Sequence, residues 1–168
     1  MHQLARRYPR SRFTGWDLSE EAIDFARRKA EEEGLENVRF DVRDLSDFDR
    51  TAEEDAFDLV TTFDAVHDQA RPGRMLEGLA RALRPDGLYL MQDIHAHSHV
   101  EKNLEHPLGS FLYAISVTHC MTVSLAQGGE GLGTMWGRER AEELLRQAGF
   151  GDIRVHRLDH DILRRRAV

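Results

Sequence analysis

The sequence predicts an α/β fold whose sheet is mostly parallel and doubly wound, with helices on both faces. Three observations predict it. Short runs rich in β-branched and aromatic residues alternate with amphipathic segments along the whole chain. Over residues 12–23, a strand-like run ends in an acid and is followed directly by a helix start. The 168 residues, 40% of them apolar, suit one domain with a single core.

The first half of the chain supplies strands separated by a helix. Ser19 can cap a helix whose first turn carries Glu20 and Glu21, and acids are favourable near the positive end of the helix dipole. The segments predicted here are the end of a helix at 2–9, a buried strand at 12–16, a helix from Ser19 to Gly34 and a buried strand at Val38–Val42.

The second half continues the alternation. FDLVTTF, from Phe57 to Phe63, holds almost no charge and is predicted to be a buried strand. Apolar residues recur at helical spacing between Gly73 and Leu83, which predicts a helix. The remaining segments are a turn at 84–87, a strand at 87–94, a helix with the apolar face Ala141, Leu144, Leu145 and Ala148, and a strand at 152–158.

Asp17 comes directly after the strand at 12–16 and before the first capped helix. In nucleotide-binding α/β folds, an acid at the carboxyl end of the second strand accepts hydrogen bonds from the two ribose hydroxyls of a cofactor. The first strand and its glycine loop should precede this acid by roughly 20 residues, and there is no room for them upstream. The sequence therefore predicts a cofactor fold without its first strand.

Composition excludes several partners and compartments. The formal charge of −7 argues against a nucleic-acid surface, which depends on clustered Lys and Arg, and the triplet Arg164–Arg166 is interpreted as a solvated tail. Cys120 is the only cysteine, so no intrachain disulfide is expected. No export signal is evident, which makes a cytoplasmic location the expectation. No uninterrupted apolar run approaches the roughly 18 residues that a membrane-spanning helix needs.

Five segments carry a family resemblance that covers nearly the whole chain. The succession GWDLS, VRDLSDF, FDLVTTFDAVHD, LRPDGLYLMQDI and QAGFGDIRV resembles a class I S-adenosylmethionine-dependent methyltransferase, which has a Rossmann-like fold. The segment NLEHPLGSFLYAISVTHCMTVSLAQGGEGLGTMWG is more specific, and resembles a bacterial small-molecule methyltransferase subgroup with a winged-helix-like domain ahead of the catalytic one. The end of the chain, ILRRRAV, departs from the Asn-x-Tyr-Tyr segment usual in that subgroup.

The resemblance implies a single truncated catalytic domain over residues 1–168. In the family, the first strand ends in an acidic, glycine-rich loop that holds the methionine part of the cofactor, and we expect the chain to begin just after it. Its loss would separate the strand before Asp17 from FDLVTTF and expose two rows of unpaired backbone groups. Either the remaining strands close this gap or another chain fills it. We therefore expect weak or absent cofactor binding by the isolated chain.

Carried over residue by residue, the resemblance assigns the nucleoside part of S-adenosylmethionine to four positions. Asp17 would accept the ribose hydroxyls, with Leu18 packing near the sugar and adenine. Asp44 would accept a hydrogen bond from the adenine amino group, and Leu45 would offer its backbone N–H to the ring. From the residues alone, a strand-terminal acid also often caps the next turn.

The reacting end of the cofactor needs mainly positioning, because the sulfonium is an activated methyl donor. By the resemblance, Phe63 and Asp64 would line the space around it, although Phe63 also suits a core position. A hydroxyl acceptor would benefit from a positioned base, and histidine titrates in the right range. His67 is the first candidate base, with a hydrogen-bonded structural histidine as the alternative, and His119 and His99 are the second candidates.

The segment from His95 to Gly137 is too long for an ordinary connection and too apolar for a solvated one. It is predicted to be a substrate cover, a homodimer surface, or both. Within it, Cys120 is interpreted as buried and inert rather than as a nucleophile. His95, His97 and His99 alternate as on one face of a strand, but the donor chemistry needs no metal and we predict no metal site.

Three functions remain open at this point. The leading one is methyl transfer from S-adenosylmethionine to a small organic acceptor, with no nucleic-acid or membrane partner and with the activity of this chain uncertain. The second is a non-catalytic remnant that acts as an interaction module. The third is a permuted dinucleotide-binding oxidoreductase, in which MTVSLA is a strand, Gly129, Gly131 and Gly133 form a phosphate loop, and Asp159 binds a ribose.

Overall fold

The computed structural model describes residues 1–157 and 166–167. By their contacts the residues form two compact units, Met1–Asp44 and Leu45–Val168. The described strands fall into two sheets, one in each unit. We describe each unit by itself.

The first unit is a β–α–β arrangement preceded by a short helix. Its elements are α1 (His2–Arg7), β1 (Phe13–Asp17), α2 (Glu20–Glu32) and β2 (Val38–Val42). The two strands are parallel and in register from Phe13 opposite Val38 to Asp17 opposite Val42. Because parallel strands end on the same side, the residues that follow β1 and β2 emerge at one edge of this sheet.

Local sequence accounts for these elements as predicted. The Oγ of Ser19 accepts a hydrogen bond from the backbone N–H of Ala22 at 3.1 Å and so caps α2. Gly34 follows the helix with a left-handed φ of 65°, which a glycine adopts without strain. Ile23 and Ala30 on α2 pack against Phe40 on β2 and form the core of the unit.

The second unit contains one four-stranded sheet, and helices precede each of its first three strands in chain order. Its elements are α3 (Phe48–Thr51), β3 (Phe57–Phe63), α4 (Pro72–Ala82), β4 (Leu83–Asp93), a 3₁₀ turn (Val100–Asn103), α5 (Gly109–Ile115), a π-helical segment (Ser116–Cys120), α6 (Met121–Ala126), α7 (Arg138–Gln147), β5 (His156–Arg157) and β6 (Arg166–Ala167). The strand order is β3-β4-β6-β5. The first pair is parallel, and β6 runs antiparallel to both its neighbours.

The turn predicted at 84–87 lies inside β4 as an interruption of its pairing. Phe57 lies opposite Leu83, but Leu59 lies opposite Leu88, so the register shifts between these pairs. Residues 84–87 therefore bulge out of the ladder. From Leu88 onward the pairing is regular to Gln92, opposite Phe63.

The predictions that β2 and β3 are buried strands are wrong. Leu59 and Phe63 on β3 are 49% and 57% exposed, and on β2 Arg39 and Val42 are exposed. Neither strand is a central strand, since β3 is at the edge of its four-stranded sheet and β2 belongs to a sheet of two. A continuous apolar run indicates burial on both faces only where layers cover both faces.

Helix α4 provides the main core of the second unit. Its apolar face, predicted from the spacing, is buried, with Leu76 and Ala82 fully enclosed. Leu144 and Leu145 of α7 are buried as well, and α4 packs against both α7 and α3. At the contact with α3, a Cβ added to Gly78 would lie 2.5 Å from the backbone of Phe48, so only glycine allows this close approach.

Helices α5 and α6 and the π-helical segment between them form one continuous helical stretch, Gly109–Ala126. Its 18 residues have a mean hydropathy of 1.3, so by length and composition alone the stretch is apolar enough to cross a membrane, and 28% of it is buried inside the protein. Buried helices of soluble proteins meet the same criterion. The sequence-based expectation concerned only uninterrupted apolar runs. This stretch is interrupted by the polar residues Ser116, Thr118 and His119, so it does not conflict with that expectation.

The helical stretch contradicts the permuted oxidoreductase. That reading requires MTVSLA to be a strand, whereas Met121–Ala126 is helix α6. The helix continues from α5 without a break, and it ends at Gln127 and Gly128, where a left-handed φ of 67° turns the chain. The proposed ribose acid, Asp159, lies outside the described residues.

The strand predicted at 152–158 is shorter in the structure. Within the described residues, strand geometry there is confined to His156–Arg157, paired with Arg166–Ala167. Leu158 lies outside the described residues. The pairing of β6 with β4, Gln92 opposite Ala167, brings residues near the end of the chain to the sheet.

Candidate functional site

In the first unit, the candidate residues lie at the edge where β1 and β2 end. Asp17 is the last residue of β1 and is exposed. Its Oδ1 accepts a hydrogen bond from the backbone N–H of Ser19 at 2.9 Å. The acid therefore does cap the following turn, as strand-terminal acids often do. A carboxylate has four lone-pair positions, so this single bond leaves it able to accept hydroxyl donors as well.

Asp44 lies two residues beyond β2, on the edge that also carries Asp17. Between them, the Arg43 backbone N–H donates to the Asp17 carbonyl at 2.9 Å, which continues the β1–β2 pairing by one step. The Arg43 guanidinium lies over the Trp16 ring, 4.4 Å from its centroid. Leu18, next to Asp17, is an exposed apolar side chain. The edge thus presents two carboxylates and an apolar surface.

In the second unit, Phe63 and Asp64 lie where β3 ends. Phe63 is 57% exposed, so the structure does not place it in the core. Asp64 adopts a left-handed φ of 48°, and its backbone N–H donates to the Gln92 carbonyl at 2.9 Å. An aspartate tolerates this conformation better than most residues, and it turns the chain out of the strand. Leu45, at the start of this unit, is half-buried, and its carbonyl accepts from Phe48.

His67 and Asp93 form a buried pair at the same end of the second sheet. His67 lies on the turn after β3, and Asp93 is the last residue of the neighbouring parallel strand β4. His67 Nδ1 lies 2.9 Å from Oδ1 and 3.1 Å from Oδ2 of Asp93, and His67 is only 3% exposed. The hydrogen bond to Asp93 places a proton on Nδ1, so Nε2 is the ring nitrogen that gains or loses a proton.

Charge around His67 favours its protonated form. Burial by itself lowers the pKa of His67, but the hydrogen bond to Asp93 and the negative charges of Asp93, Asp68 and Asp64 outweigh it, and the net pKa is raised. A histidine held by a carboxylate in this way resembles the oriented base of hydrolytic enzymes. The pair is thus able to take a proton through Nε2.

Cys120 is brought to His67 by the π-helical segment. Cys120 ends that segment, is 4% exposed, and has its Sγ 2.8 Å from the Oγ1 of Thr134. The Sγ, a carboxylate oxygen of Asp68 and a ring nitrogen of His67 all lie within 4.8 Å of one another. Burial raises the pKa of the Cys120 thiol, and the neighbouring Asp68 raises it further, against the opposing bond to Thr134. A raised pKa disfavours the thiolate, so the geometry does not support a nucleophile.

The other candidate histidines are exposed. His119 lies on the π-helical segment, next to Cys120, and His99 precedes the 3₁₀ turn, with Nδ1 3.9 Å from Glu101. The strand alternation that would align His95, His97 and His99 does not apply, because β4 ends at Asp93. Of the three candidate bases, His67 is the one the structure both buries and orients.

Two parts of this arrangement were not foreseen from the sequence. The sequence predicts Asp93 only as a residue of a strand. Its position at the carboxyl end of the strand next to β3 marks it as a site residue once the order of the strands is known. The approach of Cys120 to His67 has no signal in the sequence, since 52 residues separate them.

The chain was compared with known proteins. A family model described as a methyltransferase domain matches residues 1–149, which is most of the chain. The fatty-acid O-methyltransferase of Mycolicibacterium smegmatis is 37% identical over 90 residues, covering 54% of this chain and 31% of that protein.

Solved structures agree on the fold. An O-methyltransferase family protein from Burkholderia thailandensis superposes with a TM-score of 0.70 at 22% identity, over 99% of this chain and 45% of that one. The structure titled PigF with SAH gives a TM-score of 0.70 at 19% identity, over 98% of this chain and 44% of that one. At these identities the likeness is one of fold.

The chain spans about a third of the length of the curated relative from Mycolicibacterium smegmatis and less than half of these two solved structures. The match to the family model nevertheless extends through both compact units. Together with the α/β architecture, it places the chain in the methyltransferase domain family, with the Rossmann-like fold of class I S-adenosylmethionine-dependent methyltransferases.

Proposed function

We propose that this chain contributes to methyl transfer from S-adenosylmethionine to a small organic acceptor. The observation that carries the proposal is the pair of acids where two parallel strands end, Asp17 as the last residue of β1 and Asp44 just beyond β2, in a chain that belongs to a methyltransferase family. Ligands of open α/β sheets bind at the carboxyl ends of the strands. This edge is therefore the place for the nucleoside part of the cofactor.

In this proposal Asp17 accepts hydrogen bonds from the two ribose hydroxyls, with Leu18 against the sugar and adenine. Asp44 accepts from the adenine amino group, and the Leu45 backbone N–H donates to the ring. Residues that bind a ligand are exposed until the ligand covers them. This agrees with the exposure of Asp17, Leu18 and Asp44. Phe63 and Asp64, where β3 ends, border the reactive sulfonium.

His67 serves as the base if the acceptor is a hydroxyl. Asp93 holds its ring by Nδ1, so Nε2 is the atom that takes the acceptor's proton as the methyl group is transferred. The more exposed His119 and His99 are the reserve candidates. The names of two of the compared proteins, both O-methyltransferases, favour an oxygen acceptor.

The segment from His95 to Gly137 is proposed to cover the acceptor or to form a homodimer contact. Part of it is held in a small core of the second unit, where Ala96, Leu112 and Met135 pack with Ile94. Exposed apolar residues on the same segment, Leu104 and Phe111 among them, fit a surface that is covered in the working protein. A cytoplasmic location remains our expectation.

Isothermal titration calorimetry with S-adenosylhomocysteine tests the cofactor part of the proposal. We expect measurable but weak binding, reduced about 10-fold or more in Asp17→Ala because a hydrogen-bonded charged acceptor is lost. Asp24→Ala is the matched control, since it removes an exposed carboxylate from the same unit outside the proposed edge. Far-UV circular dichroism checks that α2 remains intact without the Asp17 bond to Ser19.

Two results would contradict the proposal. Equal affinities of Asp17→Ala and the wild type for S-adenosylhomocysteine would show that Asp17 does not bind the ribose. No binding at millimolar ligand would instead favour the non-catalytic interaction module, in which the exposed apolar residues of Gly109–Ala126 make a subunit contact.

A further inference from the structure

We propose that His67, Asp68 and Cys120 form a binding site for a divalent cation of the zinc type. The donor atoms are an imidazole nitrogen, a carboxylate oxygen and a thiol sulfur, and they lie within 4.8 Å of one another. This mixed set suits Zn²⁺, which binds nitrogen, oxygen and sulfur ligands alike. The inference departs from our expectation of no metal site, because the fold brings Cys120 to a His-Asp pair far away in sequence.

The first argument is the contact between His67 and Asp68. His67 Nδ1 donates a hydrogen bond to Asp93, so Nε2 is the ring nitrogen that can bind a metal ion. Nε2 lies 3.4 Å from Asp68 Oδ1, yet among the described residues this buried oxygen has no hydrogen-bond partner. Nε2 and this carboxylate oxygen thus face each other directly, and a divalent cation that displaces the Nε2 proton would bind to both.

The second argument is that supporting contacts are already in place for two of the ligands. Metal-bound histidines almost always donate their other ring N–H to a carboxylate or carbonyl, and Asp93 holds His67 in this way. The Thr134 hydroxyl lies 2.8 Å from the Cys120 sulfur, close enough to donate to a thiolate. Asp93 and Thr134 are themselves buried, which restricts their movement.

The dimensions fit a small ion. With bonds of about 2.0–2.3 Å, the ligand atoms of a tetrahedral zinc lie about 3.3–3.8 Å apart. The His67–Asp68 separation of 3.4 Å is already in that range, and the Cys120 Sγ, which lies within 4.8 Å of both, needs to approach by at most about 1 Å. The Asp68 side chain is 30% exposed whereas His67 and Cys120 are buried, so solvent reaches the cluster from the Asp68 side.

An ion at this site would occupy His67 Nε2, the atom that serves as base in the proposed function. This consequence rests on the proposed function, since the ion and an acceptor proton would compete for one nitrogen. Metal binding itself is independent of methyl transfer. It is measured on the chain alone, without cofactor or acceptor, so failure of either proposal is recognised separately.

The experiment is a titration of the chain with Zn²⁺ in calorimetry and with Co²⁺ in absorption spectroscopy. We expect one ion per chain and a thiolate-to-cobalt charge-transfer band that is absent in Cys120→Ser. Asp68→Asn and Cys120→Ser should each weaken Zn²⁺ binding by about 100-fold. Asp93→Asn should weaken it by about 10–100-fold, as expected for a carboxylate that supports a ligand.

His119→Gln is the matched control, because it removes an exposed histidine directly beside Cys120 and should leave Zn²⁺ affinity unchanged. Thermal unfolding of each metal-free variant shows whether lost binding reflects lost folding. If Asp68→Asn unfolds, Asp68→Glu replaces it, since a longer carboxylate keeps the charge. Zn²⁺ binding that survives in the folded Cys120→Ser variant, or a Co²⁺ complex without the thiolate band, would overturn the proposal. So would the absence of binding by the wild type.

Discussion

The carboxylate of Asp93 accepts two hydrogen bonds at once, from His67 Nδ1 at 2.9 Å and from the backbone N–H of Ile94 at 2.8 Å. All three groups are buried, so the carboxylate fixes both the histidine ring and the chain that leaves β4. The pair joins the end of β4 to the turn that follows the neighbouring β3, through two residues that are 26 positions apart in sequence. Its removal affects stability and ring orientation together.

We predict that Asp93→Asn lowers the free energy of unfolding by about 1–3 kcal/mol, because a buried donor loses its charged acceptor. Urea denaturation of the two proteins measures it. Asp86→Asn, an exposed change on the bulged part of β4, is the control and should alter stability by less than about 0.5 kcal/mol. Equal stabilities of Asp93→Asn and the wild type would show that the pair does not hold this end of the sheet.

Gly137 controls how α7 meets the segment after β4. Its φ is 83°, and an added Cβ would lie 2.1 Å from the backbone nitrogen of Ser98. We predict that Gly137→Ala costs at least about 2 kcal/mol, from backbone strain and from overlap. Gly151→Ala, where a Cβ meets nothing within 4 Å, should change stability little. Chemical denaturation compares the two, and similar midpoints would refute the tight approach.

Glu139 links α7 to the same segment, and its link depends on pH. Partial burial opposes ionisation of Glu139, but bonds from His97 Nδ1 and the Ser98 N–H, each at 2.9 Å, outweigh it and lower its pKa from 4.5 to about 2. The folded pKa is lower than the unfolded one. The contribution of Glu139 is therefore fully present above pH 4.5 and is lost as pH falls toward 2.

We predict that the stability difference between the wild type and Glu139→Gln is largest above pH 5 and shrinks as the solution is acidified. Urea denaturation at several pH values between about 2.5 and 6 measures this difference. Glu77→Gln, on the exposed side of α4, is the control and should show no such trend. A difference that stays constant with pH would contradict the role of the Glu139 contacts.

The cap of α2 gives a prediction for the first unit. The Ser19 hydroxyl accepts from the Ala22 N–H, and loss of such a cap costs about 1 kcal/mol. Ser19→Ala should lower the stability of the chain by that amount, measured by urea denaturation, whereas the exposed Ser11→Ala should not. A gain in stability for Ser19→Ala would show that the cap is not formed in solution.

Local patterns were sufficient to predict the elements whose residues act within one turn or one strand. Ser19 and the acids after it mark the start of α2, and the spacing of Met75, Leu76 and Leu79 marks α4. The same patterns do not state what covers a strand. FDLVTTF therefore has the composition of a buried strand while Phe63 is largely exposed.

The candidate site divides in the same way. Asp17 follows a predicted strand directly and His67 lies on the turn after another, so the predicted order of strands and helices singles them out. The partners of His67 depend on long-range packing: Asp93 through the pairing of β3 with β4, and Cys120 through the path of a helix. One sequence gives no measure of such distances, and the thiol was accordingly interpreted as an isolated buried residue.

The π-helical segment Ser116–Cys120 holds wider turns than the helices on either side, so the number of residues there sets the rotation of all that follows. Removing a single residue would twist Met121–Ala126 by about 100° around its axis. Ser124, whose hydroxyl now donates to the Gln69 carbonyl at 2.9 Å, would swing toward solvent. The number of residues in this helix is thus as important as their identity. Deletion of one residue should destabilise the protein more than most substitutions do.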